Sequence, residues 1–304
     1  MPGFGVIMPL GPGDRELERA ADVLDSLFTY EPGCGWVVLI DDVKVGRGLE
    51  TRFPCPPGCT YKVFVNPRQG KGHGWSGGMS VGVAAAVRWL ARETDAPFAL
   101  RLDTDSLVVA PFAAKIASFF ASDPRIGLAG SFRRFPNGGP RIKQDARPML
   151  EDLIRRISFK RRFPFIRRHW ALFGRAARRR ALILEAVANG YQLGENCQGG
   201  GYAISRTLLN CLRESSALDD VFLFRNTRIC EDIMMSIFCQ ASNLQMSDFN
   251  RDHEPFAVMN GTLIDAPAKI LARGYSIIHS LKDPDRPEDT TRAFFRAERL
   301  RAKN

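Results

Sequence analysis

The stretch "ALRLDTDSLVV" (residues 99–109) places two carboxylates, Asp103 and Asp105, inside an apolar run that is typical of a buried strand. Apolar residues lie on both sides of the pair. Because an unpaired charge is costly to bury, these carboxylates need a partner. Three kinds of partner would suit them: a structural arginine, a helix N-terminus, or a divalent cation that the protein uses.

Around this stretch, short apolar runs alternate with helical patterns. The runs predict five strands, at residues 4–10, 35–42, 61–66, 98–103 and 126–132. The spacing of apolar residues predicts helices between them, at residues 14–30, 78–93 and 111–122. Such alternation is typical of an α/β fold with a doubly wound, mainly parallel sheet flanked by helices.

In a sheet of this kind, functional loops lie at the carboxyl ends of the strands. Six residues at the predicted strand ends would gather along this edge: Pro9, Asp41, Asp42, Asn66, Asp103 and Asp105. Several carboxylates on one rim favour a cation or nucleotide site over scattered ion pairs. The sequence lacks both a G-x-G-x-x-G motif after the first strand and a G-x-x-x-x-G-K-[ST] motif, so dinucleotide and P-loop sites are disfavoured.

The net charge of +10 comes from one segment of the chain. Residues 155–180 contain eleven Lys and Arg residues and no Asp or Glu. Aromatic residues are interleaved with them: Phe159, Phe163, Phe165, Trp170 and Phe173. Such a segment could be a solvated helix face, a nucleic-acid surface, or an element that binds a membrane surface or an anionic acceptor. A solvated face normally carries acids among the bases, and this one has none.

The chain carries no sign of export or membrane insertion. No apolar run approaches the roughly 20 residues that span a bilayer, and the N-terminus lacks the regions of a signal peptide. Seven cysteines without framework spacing indicate reduced thiols. We therefore expect a cytoplasmic location.

Four further motifs are notable, one before the Asp pair and three after the basic segment. They are the Gly-rich "GKGHGWSGG" (70–78), the triple glycine Gly199–Gly201, the pair Glu231–Asp232 and the histidine His279. Each has an ordinary structural explanation. Glycines make flexible connections and tight turns, acidic residues are favoured in the first turn of a helix, and a histidine can be structural.

Taken in order, these motifs resemble those of the GT-A superfamily of nucleotide-sugar glycosyltransferases. The resemblance covers about residues 4–283, and "GGGYAIS" followed by "CEDIMMS" looks most like inverting members of the family-two and fringe-like types. Two features depart from the pattern. The first strand ends "MPLGPGD" rather than in the P-T-Y-N common in family-two enzymes, and the basic insert is longer than a minimal core needs.

The resemblance implies a metal site at the D-x-D. By position, Asp105 would bind a divalent cation directly, and Asp103 would lie nearer the ribose or a metal-bound water. His279 would complete the coordination. Mn²⁺ and Mg²⁺ both prefer carboxylate oxygens, and imidazole is acceptable to Mn²⁺, so the implied cofactor is Mn²⁺ or Mg²⁺.

The resemblance also implies roles for other residues. Asp41 or Asp42 would hold the nucleoside, with turn formation or capping as the alternative for each. Asp232, beside Glu231, would be the base that takes the proton of the acceptor hydroxyl. The remaining residues implied at the nucleotide-sugar are Pro9, Lys71, Gly72, Gly200 and Gly201.

These observations together predict one GT-A-like domain at residues 1–283, with a basic acceptor-side insert near 141–190 and a charged tail at 284–304. We expect a metal-dependent, inverting transfer of a sugar, with a UDP-sugar favoured as donor and a glycan or lipid-linked acceptor. The alternatives are a retaining transferase, a sugar-phosphate nucleotidyltransferase, and a basic protein that binds nucleic acid or a membrane surface. The resemblance to glycosyltransferases disfavours nucleic acid as a partner.

Overall fold

A computed structural model describes residues 3–74, 76–141, 147–154 and 174–303. Its centre is a seven-stranded sheet. The strands are β1 (Gly5–Leu10), β2 (Trp36–Asp41), β3 (Thr60–Val65), β4 (Phe98–Leu102), β6 (Ile126–Gly130), β7 (Gly201–Ser205) and β8 (Gln245–Asp248). Their order is β3-β2-β1-β4-β7-β6-β8. Only β7 runs antiparallel to its neighbours in this sheet, so the α/β class with a mainly parallel sheet is confirmed.

A second, three-stranded sheet carries part of the site. It consists of β5 (Leu107–Val108), β9 (Phe256–Val258) and β10 (Ile277–His279), in the order β5-β10-β9. β5 begins two residues after Asp105, and β10 ends at His279. Because β5 and β10 pair antiparallel, with Leu107 opposite Ile278, the sheet brings the histidine next to the Asp pair.

Ten helices are described around the sheets. They are α1 (Asp14–Tyr30), α2 (Leu49–Arg52), α3 (Gly77–Glu93), α4 (Ala113–Ser122), α5 (Arg147–Ile154), α6 (Gly174–Ala188), α7 (Arg206–Glu214), α8 (Glu231–Ala241), α9 (Pro267–Ala272) and α10 (Glu288–Lys303). α3, α7 and α8 cover one face of the large sheet, and α1 and α4 cover the other. Apolar burial on both faces explains why the strands read as continuous apolar runs.

The helix α3 shows how its small residues serve this packing. A β-carbon built on Gly82 would lie 2.6 Å from Ile40 Cγ2, closer than any side chain tolerates. Glycine therefore allows α3 to lie directly against β2. The predicted strands and helices of the N-terminal half all appear in the structure, with ends that differ by up to two residues.

The basic insert is described at its two ends. Leu150 of α5 and Ile183 of α6 are fully buried in the core that α8 shares. The five aromatic residues of the basic segment and most of its Lys and Arg residues lie outside the described residues, so the predicted membrane or acceptor surface stays a prediction. In the described parts of the chain, no helix is long and apolar enough to span a bilayer.

The C-terminal segment, which composition alone describes as a charged tail, contains helix α10. Its Arg292 and Arg299 are buried and both bind Asp22 of α1, with Arg292 Nη1 2.8 Å from Asp22 Oδ2. Phe295, on the same helix, is 1% exposed. The segment is therefore attached to α1 by buried charges as well as by apolar packing.

This buried cluster predicts acid sensitivity of folding. Burial alone would raise the pKa of Asp22, but Arg292 and Arg299 outweigh it and hold the pKa below its ordinary value of 3.8. A carboxylate with a depressed pKa stabilises the fold above its unfolded pKa and loses that contribution as pH falls through the folded value. We expect the free energy of unfolding to fall below about pH 4, and to fall less steeply in Asp22→Asn.

Denaturant titrations at pH 7, 5 and 3.5 measure this difference. At pH 7, Asp22→Asn should cost about 3–5 kcal/mol, because it removes the buried carboxylate that Arg292 and Arg299 share and leaves them only Glu288 and Asp25. Asp123→Asn, which removes the ion-pair partner of the exposed Arg125, should change stability little. Equal slopes of stability against pH in wild type and Asp22→Asn would contradict the assignment.

Candidate functional site

The loop Asp103–Asp105 connects β4 to β5 at the carboxyl edge of the large sheet. Main-chain hydrogen bonds fix it on two sides. The Asp103 N–H donates to the Gly200 carbonyl at 3.2 Å, and the Leu281 N–H donates to the Asp105 carbonyl at 2.9 Å. The loop is therefore held between the triple-glycine turn and the segment that follows β10.

His279 lies opposite both carboxylates. Its Nε2 is 3.7 Å from Asp103 Oδ2 and 3.5 Å from Asp105 Oδ1. Its Nδ1 is 2.8 Å from the Met259 carbonyl oxygen. A carbonyl can only accept, so Nδ1 carries a hydrogen and Nε2 is the nitrogen presented to the carboxylates. A backbone carbonyl that orients a histidine in this way is typical of metal ligands.

The three side chains form a candidate metal site. One donor atom from each of Asp103, Asp105 and His279 lies within 4.8 Å of the others, and no other group of three such side chains is found among the described residues. Two carboxylates and one imidazole suit Mn²⁺, and the carboxylates suit Mg²⁺. The donor set therefore fits the cofactor that the sequence predicts, without identifying the ion.

The carboxylates of Asp103 and Asp105 already attract positive charge from His279 and Lys282, as they would attract a bound cation. Burial alone would lower the pKa of His279, but Asp105 and Asp103 outweigh it and raise the pKa. Burial would likewise raise the pKa of Asp105, yet contacts with His279, Lys282 and Ser280 hold it well below its usual range. Ser280 Oγ donates to Asp105 Oδ2 at 2.7 Å, and Lys282 Nζ lies 3.3 Å from the same oxygen.

Gly200 packs against the face of His279. Its φ of +94° is one that residues with side chains rarely adopt, and a β-carbon there would overlap the imidazole ring. Gly201, in β7, instead packs toward β9, where a β-carbon would lie 2.9 Å from Val258 Cγ2. Both glycines are therefore required by close packing at the site.

We predict that Gly200→Ala destabilises the protein and displaces His279. Gly190 has the same φ of +94° but no atom within 4 Å of a built β-carbon, so Gly190→Ala is a matched control for backbone strain alone. Each should lose about 1–3 kcal/mol from the strained backbone. Thermal unfolding and Mn²⁺ titration should show loss of metal affinity in Gly200→Ala only. Equal metal affinity in both variants would contradict a role for this contact.

Arg101 connects the candidate metal site to the acidic pair Glu231–Asp232. It lies in β4 and is 3% exposed, with Nη1 2.6 Å from Asp103 Oδ1 and Nη2 3.0 Å from Glu231 Oε1. Arg101 is therefore a structural arginine partner of Asp103, one of the three kinds of partner that the sequence analysis considered. Sequence reasoning missed Arg101 itself, although a single charge within the otherwise apolar "FALRL" was a signal.

Glu231 and Asp232 open α8, as predicted, and both are buried. Burial raises the pKa of Glu231 to about 7, against the lowering effect of Arg101. Asp232 is held by N–H donors. Asn196 Nδ2 and the Gly199 N–H donate to Oδ2, and the Ile233 N–H donates to Oδ1. The triple-glycine turn therefore lies beside both the candidate metal site and the pair Glu231–Asp232.

Asp41 and Asp42 lie at the end of β2, two strands from β4 at the same edge. Each carboxylate has an arginine. The Arg47 N–H donates to Asp41 Oδ2 at 2.9 Å and its Nε to Oδ1 at 2.8 Å, while Arg68 binds both oxygens of Asp42 at 2.7 and 2.6 Å. Pro9 is buried in the neighbouring β1. Neither arginine was anticipated from the sequence.

The Gly-rich loop is exposed at residues 70–74, and its backbone passes close to Arg225. A β-carbon on Gly72, whose φ is +87°, would lie 2.6 Å from the Arg225 carbonyl oxygen. The side chain of Lys71 is exposed. The structure thus brings the Asp pair, His279, the triple glycine and the acidic pair together, and it places the Asp41–Asp42 pair and this loop further along the edge.

Comparison with known proteins gives a likeness of fold. No family model matches the sequence, and no curated protein is detectably similar to it. Among solved structures, apo mouse xyloside xylosyltransferase 1 is similar at a TM-score of 0.39 and 12% identity, over 81% of this chain and 84% of that chain. The apo bifunctional glycosyltransferase WbbM is similar at 0.46 and 13%, over 91% of this chain and 45% of that one. The chain thus spans less than half of WbbM.

Proposed function

We propose that this protein is a metal-dependent glycosyltransferase that uses a nucleoside-diphosphate sugar. The observation that carries the proposal is the cluster of Asp103, Asp105 and His279, in which a backbone carbonyl turns Nε2 toward both carboxylates. It lies at the carboxyl edge of a mainly parallel sheet, where ligands of such folds bind.

These three side chains would hold Mn²⁺ or Mg²⁺. A divalent cation bound there supplies positive charge to the two phosphates of the donor and to the departing nucleoside diphosphate. Gly200 and Gly201 would let the backbone approach the donor sugar closely, since neither carries a side chain.

The acidic pair would supply the base. The acceptor hydroxyl oxygen forms the new bond to the anomeric carbon, the bond from that carbon to the phosphate oxygen breaks, and the hydroxyl proton passes to Asp232. Glu231, next to Asp232 in the chain, would hold Arg101 in place through the contact of its Oε1 with Nη2. Attack from the face opposite the leaving group inverts the anomeric centre. NMR of the product anomer tests this against retention.

The nucleoside would bind toward the end of β2. Asp41 or Asp42 would accept from the ribose or base, and Arg47 or Arg68 would then release part of its present contact. Pro9, Lys71 and Gly72 would line the same side. We favour a UDP-sugar as donor.

The acceptor would be a glycan or a lipid-linked glycan, and an anionic one suits the segment 155–180 with its eleven basic residues. We propose that the protein works in polysaccharide biosynthesis at the cytoplasmic face of a membrane. Cosedimentation with vesicles that contain or lack an anionic phospholipid tests the surface association.

Calorimetric titration of UDP and GDP, each with and without Mn²⁺, tests the core of the proposal. Binding that depends on Mn²⁺ and is abolished by EDTA would support the proposal. The preferred nucleotide would identify the nucleobase of the donor. If neither nucleotide binds under any metal condition, the proposal fails. A basic protein that binds nucleic acid would instead lose affinity steeply with salt.

A further inference from the structure

The backbone of the Asp103–Asp105 loop is held in part from the far end of the chain. The Asp103 carbonyl accepts from the Ser106 N–H at 3.1 Å, and the Asp105 carbonyl accepts from the Leu281 N–H at 2.9 Å. Both donors are main-chain groups of the site. The Thr104 carbonyl instead accepts from Arg292 Nη2 at 2.9 Å, and Arg292 belongs to α10.

Arg292 is itself held in one orientation. It is 5% exposed, with Nη1 2.8 Å from Asp22 Oδ2 and Nε 2.8 Å from Glu288 Oε1. Glu288 also binds Arg19 of α1, with Nε 2.8 Å from Oε1. A planar guanidinium bound along both edges has little freedom to rotate.

The Thr104 side chain is anchored on the same side. Its hydroxyl donates to Glu16 of α1, and the residue is 3% exposed. Glu16 in turn binds Arg19 at 2.5 Å. Thr104, which lies between the two candidate metal ligands, is therefore hydrogen-bonded to both α1 and α10.

We propose that Arg292 is a positioning residue that sets the geometry of the metal site through the Thr104 carbonyl. This inference rests on the proposed function for the identity of the site. The Thr104 carbonyl lies in the same peptide plane as the Asp105 nitrogen. Its hydrogen bond to Arg292 therefore fixes the orientation of the backbone at the start of Asp105. Metal ligands need placement to within about 0.5 Å, which makes such support consequential.

The test compares two arginines of one helix. Arg292→Met removes the bond to the loop along with one partner of Asp22 and one partner of Glu288. Arg299→Met removes another buried partner of Asp22, while its second ion-pair partner is Asp25 of α1. Both variants should lose stability, so measurements are made at a temperature where circular dichroism shows both to be folded.

Two readouts separate positioning from stability. Titration of Mn²⁺ followed by electron paramagnetic resonance should give a dissociation constant about tenfold weaker in Arg292→Met, and one near wild type in Arg299→Met. Hydrogen exchange of amides 103–107 should accelerate only in Arg292→Met, whether or not metal is present.

Equal metal affinity and loop exchange in Arg292→Met and wild type would overturn the inference. Equal losses in both variants would also overturn it, because the effect would then be one of general stability. Wild-type protein that binds no Mn²⁺ would instead overturn the proposed function, and loop exchange would still report whether Arg292 holds the loop.

Discussion

Replacing Asp105 with asparagine is expected to weaken Mn²⁺-dependent binding of a nucleoside diphosphate by at least about 100-fold. Asp105 offers an anionic oxygen 3.5 Å from His279 Nε2, and an amide oxygen is a far weaker ligand for a hard cation. Asparagine can still accept from Ser280 Oγ, so the loop should remain folded. Calorimetric titration with Mn²⁺ and with EDTA measures the loss, and without metal the two proteins should bind equally weakly.

Lys282→Met provides the matched control. Lys282 Nζ lies 3.3 Å from Asp105 Oδ2, and its side chain is half exposed. Its charge competes with a bound cation, so its removal should maintain or strengthen Mn²⁺ affinity. Full Mn²⁺-dependent binding in Asp105→Asn would show that the carboxylates are structural partners of Arg101, His279 and Lys282, and nothing more.

Asp232→Asn is expected to lower kcat by about 10²–10⁴-fold, with nucleotide affinity nearly unchanged. The variant keeps one oxygen that can accept from Asn196 Nδ2 and the Gly199 N–H. Its neutral amide cannot take the proton of the acceptor hydroxyl. Release of UDP from a UDP-sugar measures turnover, and calorimetry measures binding on the same protein. A kcat within threefold of wild type would remove Asp232 from the role of base.

Glu231→Gln distinguishes the two acidic residues. It leaves Arg101 buried with Asp103 as its remaining ion-pair partner, so it should disturb metal-dependent binding and KM more than kcat. Burial raises the pKa of Glu231 to about 7. If Glu231 were the base, activity would rise with pH through that value, and the rise would disappear in Glu231→Gln. That outcome would transfer the role from Asp232 to Glu231.

The sheet could be predicted because its signals are local. Apolar runs of strand length and helical spacing between them identified β1, β2, β3, β4 and β6 together with α1, α3 and α4. Strand ends in a parallel sheet share one edge, so the sequence also placed Asp41, Asp42, Asp103 and Asp105 there. The position of β7, antiparallel between β4 and β6, carries no comparable local signal.

The partners of these carboxylates could not be predicted in the same way. Arg47 and Arg68 are two of many arginines in the chain, and nothing in their spacing selects them for Asp41 and Asp42. Composition also described the C-terminal segment correctly as charged. It could not show that Arg292 and Arg299 are buried, because their burial depends on the carboxylate of Asp22 on a distant helix.

The sequence by itself determined the α/β class, the edge at which the carboxylates gather, and the residue types of the candidate metal site. Only the tertiary structure decided that His279 turns Nε2 toward Asp103 and Asp105, and that Arg292 holds the carbonyl between them. The physical reason is the range of the interactions. Strand and helix patterns repeat over a few residues, whereas the site depends on pairing of β5 with β10 and on buried charges that meet only when the chain has folded.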